Sequence, residues 1–490
     1  MTAKNVTFLG SLFFPRLAKD SHKYNRHFAT ALRHSCSSSS SSNTPKEIVE
    51  WLRNHGPVFR VRSDAISVLD GPTQFYERFT VKCIHDVVRK SSKAGDQIKV
   101  EILLEHTRGS RGVINSRTML LPLLQEFSES VSVALYHTPE LRGIKKMVLP
   151  ERFNETVALT HLKVYLTDDT VIMSGANLSH DYFTNRQDRY IEIKDSPEVA
   201  DFFHKLISTV KTFSLQLNGS NTTMLHSNFP FHPTQDTDGG KQFVSEASKR
   251  LLQFLDKTKN EQVKPVSAED NSQTWVVPLV QMFPYGVRQD EIVTSELLAS
   301  LPKESTLLLA SGYFNLTSDY INLILNSKAY CEILTAHPTV NGFYKAKGVA
   351  GGIPHAYTYI AKAFFNLVNQ HKQNDRITIQ EYQRNKWTFH VKGLWYYPPN
   401  SPLPCLTLIG SPNFGHRSVF RDLEAQVAIV TEDEKLQQQF HNEQKQFYSC
   451  AKRVTSETFN NQDRRVPLWV RIVTPFIHKF CDIPSNNIFY

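Results

Sequence analysis

The sequence predicts an α/β protein made of two similar halves. Three observations lead to this prediction. A chain of 490 residues is too long for one ordinary domain, segments rich in β-branched residues alternate with segments of helical periodicity, and one pattern of polar residues occurs twice. The expected strands include 99–104, 131–136, 306–312 and 405–409, and the expected helices include 47–53, 117–127 and 198–213.

The predicted halves are joined by a polar connection. Residues 58–217 form the first half and residues 274–490 the second. Between them, residues 218–273 are rich in Asn, Ser, Thr, Asp and Gly, a composition typical of loops. One amphipathic helix, near residues 243–255, is expected to interrupt this connection.

The composition excludes several classes of protein. The hydrophobic fraction of 40% and the charged fraction of 21% exclude a wholly disordered or collagen-like chain. No run of eighteen uncharged apolar residues occurs, so a bundle of membrane-spanning helices is excluded. The six cysteines form neither a disulfide framework nor a CxxC metal site, which suits a reducing compartment.

The first 42 residues resemble a mitochondrial transit peptide. Six basic residues face one acid, Asp20, and a serine run follows at residues 37–42. A basic, Ser-rich and acid-poor segment is typical of such import signals. This segment carries more than half of the net charge of +9, and the remaining chain is only mildly basic. A disordered tail is the alternative, whereas a secretory signal fits worse because Pro15 and Arg16 interrupt the apolar stretch.

The two halves share polar residues in the same order. The first contains His161-Leu-Lys163, the turn 174–177 ending in Asn177, and Arg189 followed by Glu192; the second contains His390-Val-Lys392, the turn 410–413 ending in Asn413, and Arg421 followed by Glu424. The two histidines are 229 residues apart. A lone His-x-Lys is a weak signal, but its repetition with the same following features indicates an internal duplication.

The repeated residues suit phosphoryl transfer. Alternate residues of a strand share a face, so His161 and Lys163 are expected to project together, as are His390 and Lys392. A lysine ammonium can hold a phosphate oxygen. A neutral histidine can attack phosphorus, and a protonated histidine can give a proton to the leaving oxygen.

Other residues of the repeat are expected to complete the site. Asn177 or Asn413, together with Ser411, can donate hydrogen bonds to phosphate, and Glu192 and Glu424 are candidates to orient the imidazoles. No metal is needed for this chemistry, and we expect neither a metal nor a cofactor. The alternative, that each histidine is a core residue and each lysine a surface charge, fits one copy of the motif but not two.

The duplicated motif resembles that of the phospholipase D superfamily. His161-x-Lys163-x4-Asp168 matches its HKD motif, and His390-x-Lys392 opens a second copy. Within the superfamily, the closest resemblance is to the eukaryotic phosphatidylglycerophosphate synthases, or CDP-diacylglycerol–glycerol-3-phosphate 3-phosphatidyltransferases. It is carried by residues 107–112, 150–156, 174–179, 182–190, 312–317, 347–354 and 408–418. It implies two phospholipase-D-like halves, each a mixed β-sheet flanked by helices, related by a pseudo-twofold axis with one shared active site.

The resemblance also implies a reaction. CDP-diacylglycerol and sn-glycerol 3-phosphate would give phosphatidylglycerophosphate and CMP, on the route to cardiolipin in mitochondria. His161 would be the nucleophile that carries the phosphatidyl group, and His390 the acid that protonates CMP and then the base for the glycerol hydroxyl. The resemblance adds Lys163, Asp168 and Lys392 to the catalytic set. It implies a mitochondrial protein, peripheral on the inner membrane, that contacts a lipid surface and no nucleic acid.

Two departures from the family pattern are visible. In the second motif, Tyr397 occupies the position that corresponds to Asp168. In addition, the helix-like segment 75–79 passes almost directly to a second helix-like segment at 83–88, where the family normally has a strand. One strand and its turn are therefore expected to be missing from the first half, a loss of the size that one skipped exon would cause.

Several interpretations remain open at this stage. A phospholipase D or nuclease would use water as the acceptor, and an inactive homologue would only bind lipid or act as a scaffold. The segment 107–112 is either a phosphate-binding loop or a surface turn, and the default for 347–354 is a tight loop. The segment 466–480 is either an interfacial helix or, as we favour, a helix packed on the second half.

Overall fold

The computed structural model describes residues 44–80, 99–143, 158–261 and 273–479, without the side chains of residues 79, 80 and 475–479. The predicted transit segment 1–42, the helix-like segment 83–88 and the family-like stretch 150–156 therefore lie outside the described residues.

The strands alternate with helices along the chain. The strands are β1 Phe59–Val61, β2 Ile66–Val68, β3 Val100–Glu105, β4 Val131–Tyr136, β5 Val164–Thr167, β6 Thr170–Ser174, β7 Arg186–Gln187, β8 Tyr190–Ile193, β9 Leu215–Leu217, β10 Thr223–Met224, β11 Thr274–Met282, β12 Val287–Arg288, β13 Thr306–Ser311, β14 Tyr330–Ala336, β15 Ile377–Tyr382, β16 Thr388–Phe389, β17 Lys392–Tyr397, β18 Leu406–Gly410, β19 Glu424–Thr431 and β20 Ala451–Arg453. The helices are α1 Pro45–Leu52, α2 Pro72–Thr80, α3 His106–Gly109, α4 Ser116–Glu126, α5 His180–Thr184, α6 Pro197–Thr212, α7 Lys241–Glu261, α8 Gln289–Ser300, α9 Ser318–Asn326, α10 Ile353–Gln370, α11 His416–Phe420, α12 Glu434–Tyr448 and α13 Leu468–Lys479.

These bounds confirm the elements named in the sequence analysis. Each of those strands and helices is present, with ends shifted by at most two residues. The exception is the helix in the connection, which extends over Lys241–Glu261 and buries Phe243, Ala247, Leu251 and Leu255 at intervals of four residues. Local chemistry explains several helix starts: Thr44 and Glu47 form a capping box at α1, and Pro197 occupies the first turn of α6.

The second half is built on one continuous sheet. Its strand order is β1-β11-β19-β18-β17-β13-β14-β15-β20, and β12 pairs with β11. The strands β13, β14 and β15 run parallel to one another, whereas β17, β18 and β19 pair antiparallel. The edge strand β1 lies within the range predicted for the first half, yet it pairs with β11, because α1 and β1 pack their apolar side chains on the second half.

The first half contains two separate four-stranded sheets. One has the order β2-β8-β6-β5 and the other β10-β9-β4-β3. Together these sheets match most of the sheet of the second half. The series β2-β8-β6-β5 corresponds to β11-β19-β18-β17, and β3-β4-β9 corresponds to β14-β15-β20. The parallel and antiparallel pairings are the same in both halves. Among the described residues, no strand of the first half takes the place of β13 between β5 and β3. This arrangement agrees with the strand expected to be missing.

The two halves share a hydrophobic core. Its largest cluster joins first-half residues such as Phe202 and Leu206 on α6 to second-half residues such as Ile409 and Val427. Burial of such a surface is the main stabilising term for the contact between halves. Strands β6 and β18, which follow the first and the second motif, contact each other, and this contact brings the two motifs together.

Candidate active site

Each motif histidine is held at the start of a strand by the backbone of the opposite half. The His161 amide donates to the Leu423 carbonyl oxygen at 2.8 Å, and the His390 amide donates to the Gln187 carbonyl oxygen at 2.8 Å. His161 and Lys163 precede β5, whereas His390 precedes β17 and Lys392 is its first residue. Two equivalent cross-connections thus place both imidazoles in one buried site.

A carboxylate of the opposite half orients each imidazole. His161 Nδ1 lies 2.9 Å from Glu424 Oε2, and His390 Nδ1 lies 2.7 Å from Asp188 Oδ2. A carboxylate at Nδ1 selects the tautomer whose Nε2 carries the free lone pair. This tautomer places the lone pair of His161 on Nε2, from where it can attack a substrate, whereas His390 Nε2 lies 3.2 Å from the Tyr182 hydroxyl and 3.1 Å from Lys392 Nζ.

Asp188, and not Glu192, is the counterpart of Glu424. In β6 and β8, Ser174 pairs with Tyr190, and Asp188 stands two residues before Tyr190. In β18 and β19, Gly410 pairs with Gln426, and Glu424 stands two residues before Gln426.

The prediction that Glu192 orients an imidazole was wrong. Its carboxylate accepts from Ser67 Oγ at 3.4 Å and forms ion pairs with Arg78 and Lys194. It lies within β8, where its side chain meets the neighbouring edge strand rather than either histidine.

The two motif lysines are buried beside the histidines. Lys163 Nζ donates to the His161 carbonyl oxygen at 2.8 Å, and Lys392 Nζ donates to the His390 carbonyl oxygen at 2.7 Å. A side chain at Gly175 would collide with this arrangement, because its Cβ would lie 2.8 Å from Asp188 Oδ1 and 3.2 Å from Lys392 Cδ. The small-residue turn at 174–177 is therefore required for close packing of the lysine and the carboxylate.

Burial and neighbouring positive charges keep both histidines neutral. Burial, followed by the charge of Lys163, lowers the pKa of His161 well below its usual value. Burial, followed by the charge of Lys392, lowers the pKa of His390 to about 3. Burial also lowers the pKa of Lys392 to about 8 and, with help from Asp422, raises the pKa of Glu424 to about 8. Burial also lowers the pKa of Lys163 well below its usual value, and a bound anion would raise the pKa of each of these basic groups.

The predicted phosphate-binding residues lie close to these groups. Asn177 Nδ2 is 3.4 Å from the Tyr182 hydroxyl, which in turn is 3.2 Å from His390 Nε2. Asn413 Oδ1 is buried and makes no hydrogen bond. Ser411 Oγ donates to the Ala425 carbonyl oxygen at 3.2 Å, so this hydroxyl supports the strand that carries Glu424.

Asp168 lies at the far end of β5 from the histidine. It occupies the turn between β5 and β6, is exposed, and has a left-handed backbone with φ of 49°. The prediction of a catalytic role is not supported by this position, because the motif aspartate ends a hairpin rather than facing the imidazoles. The equivalent Tyr397 is buried, with its hydroxyl 3.1 Å from His441 Nδ1. The absence of the second motif aspartate therefore changes a position away from the imidazoles.

Several site residues were missed by the sequence analysis. Ser418 Oγ donates to Glu424 Oε1 at 2.7 Å, and Arg417 Nε lies 2.7 Å from Asp422 Oδ2. The Tyr313 ring meets the His390 ring edge-on, with centroids 5.7 Å apart. Ser418, Arg417 and Tyr313 all lie in the stretches 312–317 and 408–418, which carry the family resemblance. Their position in those stretches is the sequence feature that could have identified them as site residues.

The described residues contain no cluster of three or more His, Cys, Asp or Glu side chains arranged to hold a metal ion. Over the same residues, no helix has the length and apolar character needed to cross a membrane.

Two halves that each supply a His-x-Lys motif to one site define the phospholipase D-like class. Phosphatidylserine synthase from Haemophilus influenzae Rd KW20 has a similar fold, with a TM-score of 0.64, 17% identity, and coverage of 89% of this chain and 98% of the other. No protein-family model matches the chain.

Sequence relatives identify the family. The chain is 46% identical to the mitochondrial CDP-diacylglycerol–glycerol-3-phosphate 3-phosphatidyltransferase of Gallus gallus over 483 residues, covering 88% of this chain and 86% of the relative. The corresponding protein of Homo sapiens is 45% identical over 88% of this chain and 85% of its own length. The protein of that name in Saccharomyces cerevisiae is 33% identical over 86% of this chain and 89% of its own. The chain belongs to the CDP-diacylglycerol–glycerol-3-phosphate 3-phosphatidyltransferase family.

The alignment also reveals an internal difference in length. The match to the Gallus gallus protein extends over 483 positions but takes in 88% of this chain, about 431 of its 490 residues. The relative therefore has about 50 residues with no counterpart here, which is enough for a strand, its turn and flanking structure.

Proposed function

We propose that this chain transfers the phosphatidyl group of CDP-diacylglycerol to sn-glycerol 3-phosphate, giving phosphatidylglycerophosphate and CMP through a phosphohistidine. One observation carries the proposal. Two buried imidazoles, each oriented by a carboxylate of the opposite half, lie between two buried lysines in a chain of this family. The arrangement provides one nucleophile, one proton carrier and positive charge for a diphosphate.

In the first step, His161 Nε2 attacks the phosphorus that bears the diacylglycerol. A phosphorus–nitrogen bond forms, the bond to the CMP oxygen breaks, and that oxygen takes a proton from His390. Glu424 stabilises the positive imidazole by accepting from Nδ1–H. Lys163 and Lys392 offset the negative charge that grows on the phosphoryl oxygens.

The substrate itself supplies the condition for proton donation. Before substrate binds, burial and the charge of Lys392 favour the neutral form of His390. A bound diphosphate places negative charge beside the same lysine, which raises the pKa of His390 and favours the protonated form. Asp188 then holds the imidazolium in position.

In the second step, the glycerol 3-phosphate hydroxyl is the acceptor. His390, now neutral, removes its proton, the oxygen attacks phosphorus, and the bond to His161 breaks. Both histidines return to their starting states. Asn413 Oδ1, which is buried without a hydrogen bond, is available to accept from a substrate hydroxyl.

The test uses purified protein and labelled CDP-diacylglycerol, with and without glycerol 3-phosphate, in wild type and His161→Ala. Multiple-turnover CMP release is expected to require glycerol 3-phosphate and to be lost in His161→Ala. CMP release that ignores glycerol 3-phosphate and yields phosphatidic acid would instead indicate a hydrolase. Inactive wild-type protein that still binds lipid would indicate a binding homologue.

We also propose a mitochondrial location, peripheral on the inner membrane. The relatives from Gallus gallus and Homo sapiens are named mitochondrial, and residues 1–42 have the composition of an import signal. Import into isolated mitochondria, followed by alkaline carbonate extraction, tests both parts. Imported protein that remains in the carbonate pellet would contradict peripheral attachment.

A further inference from the structure

Two apolar side chains are strongly exposed in the loop between α3 and α4. Val113 is 91% exposed and Ile114 is 84% exposed, and Met119 at the start of α4 is also exposed. Scattered surface apolar residues are ordinary, whereas adjacent aliphatic side chains projecting from one loop indicate an interaction site. The loop follows β3, the strand that corresponds to β14 of the second half.

The corresponding loop of the second half has the same character. It follows β14, contains residues 337–352, and leads into α10. Tyr344 and Val349 in this loop are exposed. The duplication has thus placed exposed apolar side chains at equivalent positions in both halves, although the two loops differ in sequence and length.

Helix α13 adds a third apolar surface beside the second loop. It packs on α10 through Val470 and Thr474, which are buried. Its other side exposes four apolar residues, Leu468, Trp469, Ile472 and Val473, and the Trp469 ring lies against Gly352 at the end of the second loop. Packing therefore explains only one side of this helix, and the exposed side needs another partner.

These segments are cationic and free of acids. Residues 106–125, 333–374 and 464–481 contain no Asp or Glu. Asp375 and Asp463 lie directly beyond the ends of two of these stretches. With 47 acidic residues in the whole chain, about four would be expected in the 42 residues of the middle stretch alone. Arg108 lies in α3, Arg111 lies in the loop that follows it, and Lys345 and Lys347 lie in the second loop.

Both loops border the active site. The charge of Arg108 contributes to lowering the pKa of His161 and of Lys163. In the second loop, a Cβ at Gly342 would lie 3.7 Å from Tyr313 and from Arg186, and Tyr313 contacts the His390 ring. A ligand bound at the histidines therefore lies near Arg108 of α3 and near the second loop.

We propose that residues 106–119, 337–352 and 468–474 form a bilayer-binding rim around the active-site mouth. The rim rests on the proposed function, since a substrate with two acyl chains must reach the histidines without leaving the membrane. The apolar side chains insert among the acyl chains and headgroups, and the cations bind anionic headgroups. A second copy of the chain is disfavoured as the partner because two cationic surfaces repel each other.

The position of the rim is tested by fluorescence quenching with the full-length chain. Ile114→Trp and, as a matched control on an exposed face of α7, Leu252→Trp are mixed with substrate-free vesicles containing phosphatidylglycerol and brominated phosphatidylcholine. After subtraction of the signal of the five native tryptophans, the tryptophan at 114 is expected to be quenched and the one at 252 is not. Equal quenching at both positions, or none at 114, would overturn the rim.

Vesicle affinity gives a second, independent result. Val113→Asp/Ile114→Asp and Leu468→Asp/Ile472→Asp are expected to weaken cosedimentation by at least about tenfold, whereas Met224→Asp/Leu252→Asp, with the same change in charge, stays within about twofold of wild type. Thermal unfolding verifies that each variant is folded. Unchanged vesicle binding of both rim variants would contradict the proposal. It would also be contradicted if the rim variants lost self-association of the chain and kept their vesicle binding.

The rim proposal and the proposed function can be contradicted by different results. His161→Ala is expected to bind substrate-free vesicles like wild type while losing transfer activity. Wild-type protein that binds through the rim without catalysing transfer would remove the proposed function and leave the membrane contact. Transfer activity without quenching at position 114 would remove the rim and leave the function.

Discussion

The two halves position their histidines in the same way but stabilise them with different sheets. In the second half, β13 lies between β17 and β14, and Ser311 pairs directly with Lys392. A Cβ at Gly312 would lie 2.9 Å from His390 Cα, so the end of β13 is packed tightly against the catalytic segment. In the described part of the first half, β5 and β3 are edge strands, and neither has a partner on the side where β13 would lie.

This difference distinguishes the strands required for catalysis from the strand that contributes mainly to stability. The strands that hold the histidines and the crossed carboxylates are present in both halves. The central strand that joins these strands to the outer part of the sheet is described in the second half alone. We therefore expect the catalytic groups of the halves to be equally important, and the first half to open more readily.

Removing the crossed carboxylates tests the equality of the halves and has the largest expected effect. Glu424→Gln and Asp188→Asn each leave an imidazole without its anionic partner, so kcat is expected to fall at least about 100-fold in both. Glu192→Gln is the matched control and stays near wild type, because Glu192 contacts Ser67, Arg78 and Lys194. A loss in one carboxylate variant alone would break the symmetry of the account.

Hydrogen exchange tests the difference in stability. Amides of β5 and β3 are expected to exchange at least about tenfold faster than those of β17 and β14, since edge strands open with less free energy than paired ones. Mass spectrometry of peptides from the four strands measures these rates.

Restoring the missing strand sharpens the same comparison. Insertion of the corresponding residues of a relative between Thr80 and Cys83 is expected to slow exchange in β5 and β3 and to raise Tm by several degrees. Equal exchange in both halves of this chain, or an insertion that changes neither quantity, would mean that the first half is already complete.

The pH dependence compares one charged group from each side of the site. Below about pH 8, Glu424 takes up a proton and no longer accepts from His161 as an anion. Above about pH 8, Lys392 loses its proton and its attraction for phosphate. The profile of kcat/KM for the free enzyme is therefore expected to peak near pH 8 and to fall by up to about tenfold per pH unit on either side. Lys392→Arg should move only the alkaline limb to higher pH.

The motif aspartate has the smallest expected effect. Asp168 ends the β5–β6 hairpin in a left-handed conformation, which Gly adopts freely and Ala does not. Asp168→Ala is expected to lower the free energy of unfolding by about 1 kcal/mol and to change kcat by less than about twofold. Asp168→Gly keeps most of the stability, and denaturant titration with steady-state kinetics separates the two effects. A large loss of kcat in both variants would restore Asp168 to the catalytic set.

Much of the site could be predicted from the duplication, because each half contributes the same motif residues to one shared site. His161, Lys163, His390 and Lys392 and the carboxylate Glu424 were all identified from the repeat. Asp188 was missed because matching the Arg-x-x-Glu pattern aligned Glu192 with Glu424, whereas the strand register aligns Asp188 with it. Register depends on pairing between distant strands, and it is not visible in local residue patterns.

The sequence predicted the individual strands and helices better than their arrangement in the sheets. Local periodicity located the named strands and helices. The short passage between segments 75–79 and 83–88 led us to expect that a counterpart of β13 would be absent, and the described part of the first half contains none. The position of β1 on the second sheet was not predicted, because an edge strand of three residues takes its place from tertiary packing rather than from its own sequence. The contact between the Tyr313 and His390 rings likewise joins residues that are distant in the sequence.

The central claim, that His161 carries the phosphatidyl group, is tested most directly by a rapid-quench experiment without acceptor. Enzyme is mixed with CDP-diacylglycerol labelled in the phosphatidyl phosphate, and CMP and protein-bound label are measured together. We expect a burst of about one CMP per active site, with an equal amount of label on His161 that glycerol 3-phosphate then discharges. Transfer to glycerol 3-phosphate without a burst and without label on His161 would contradict it.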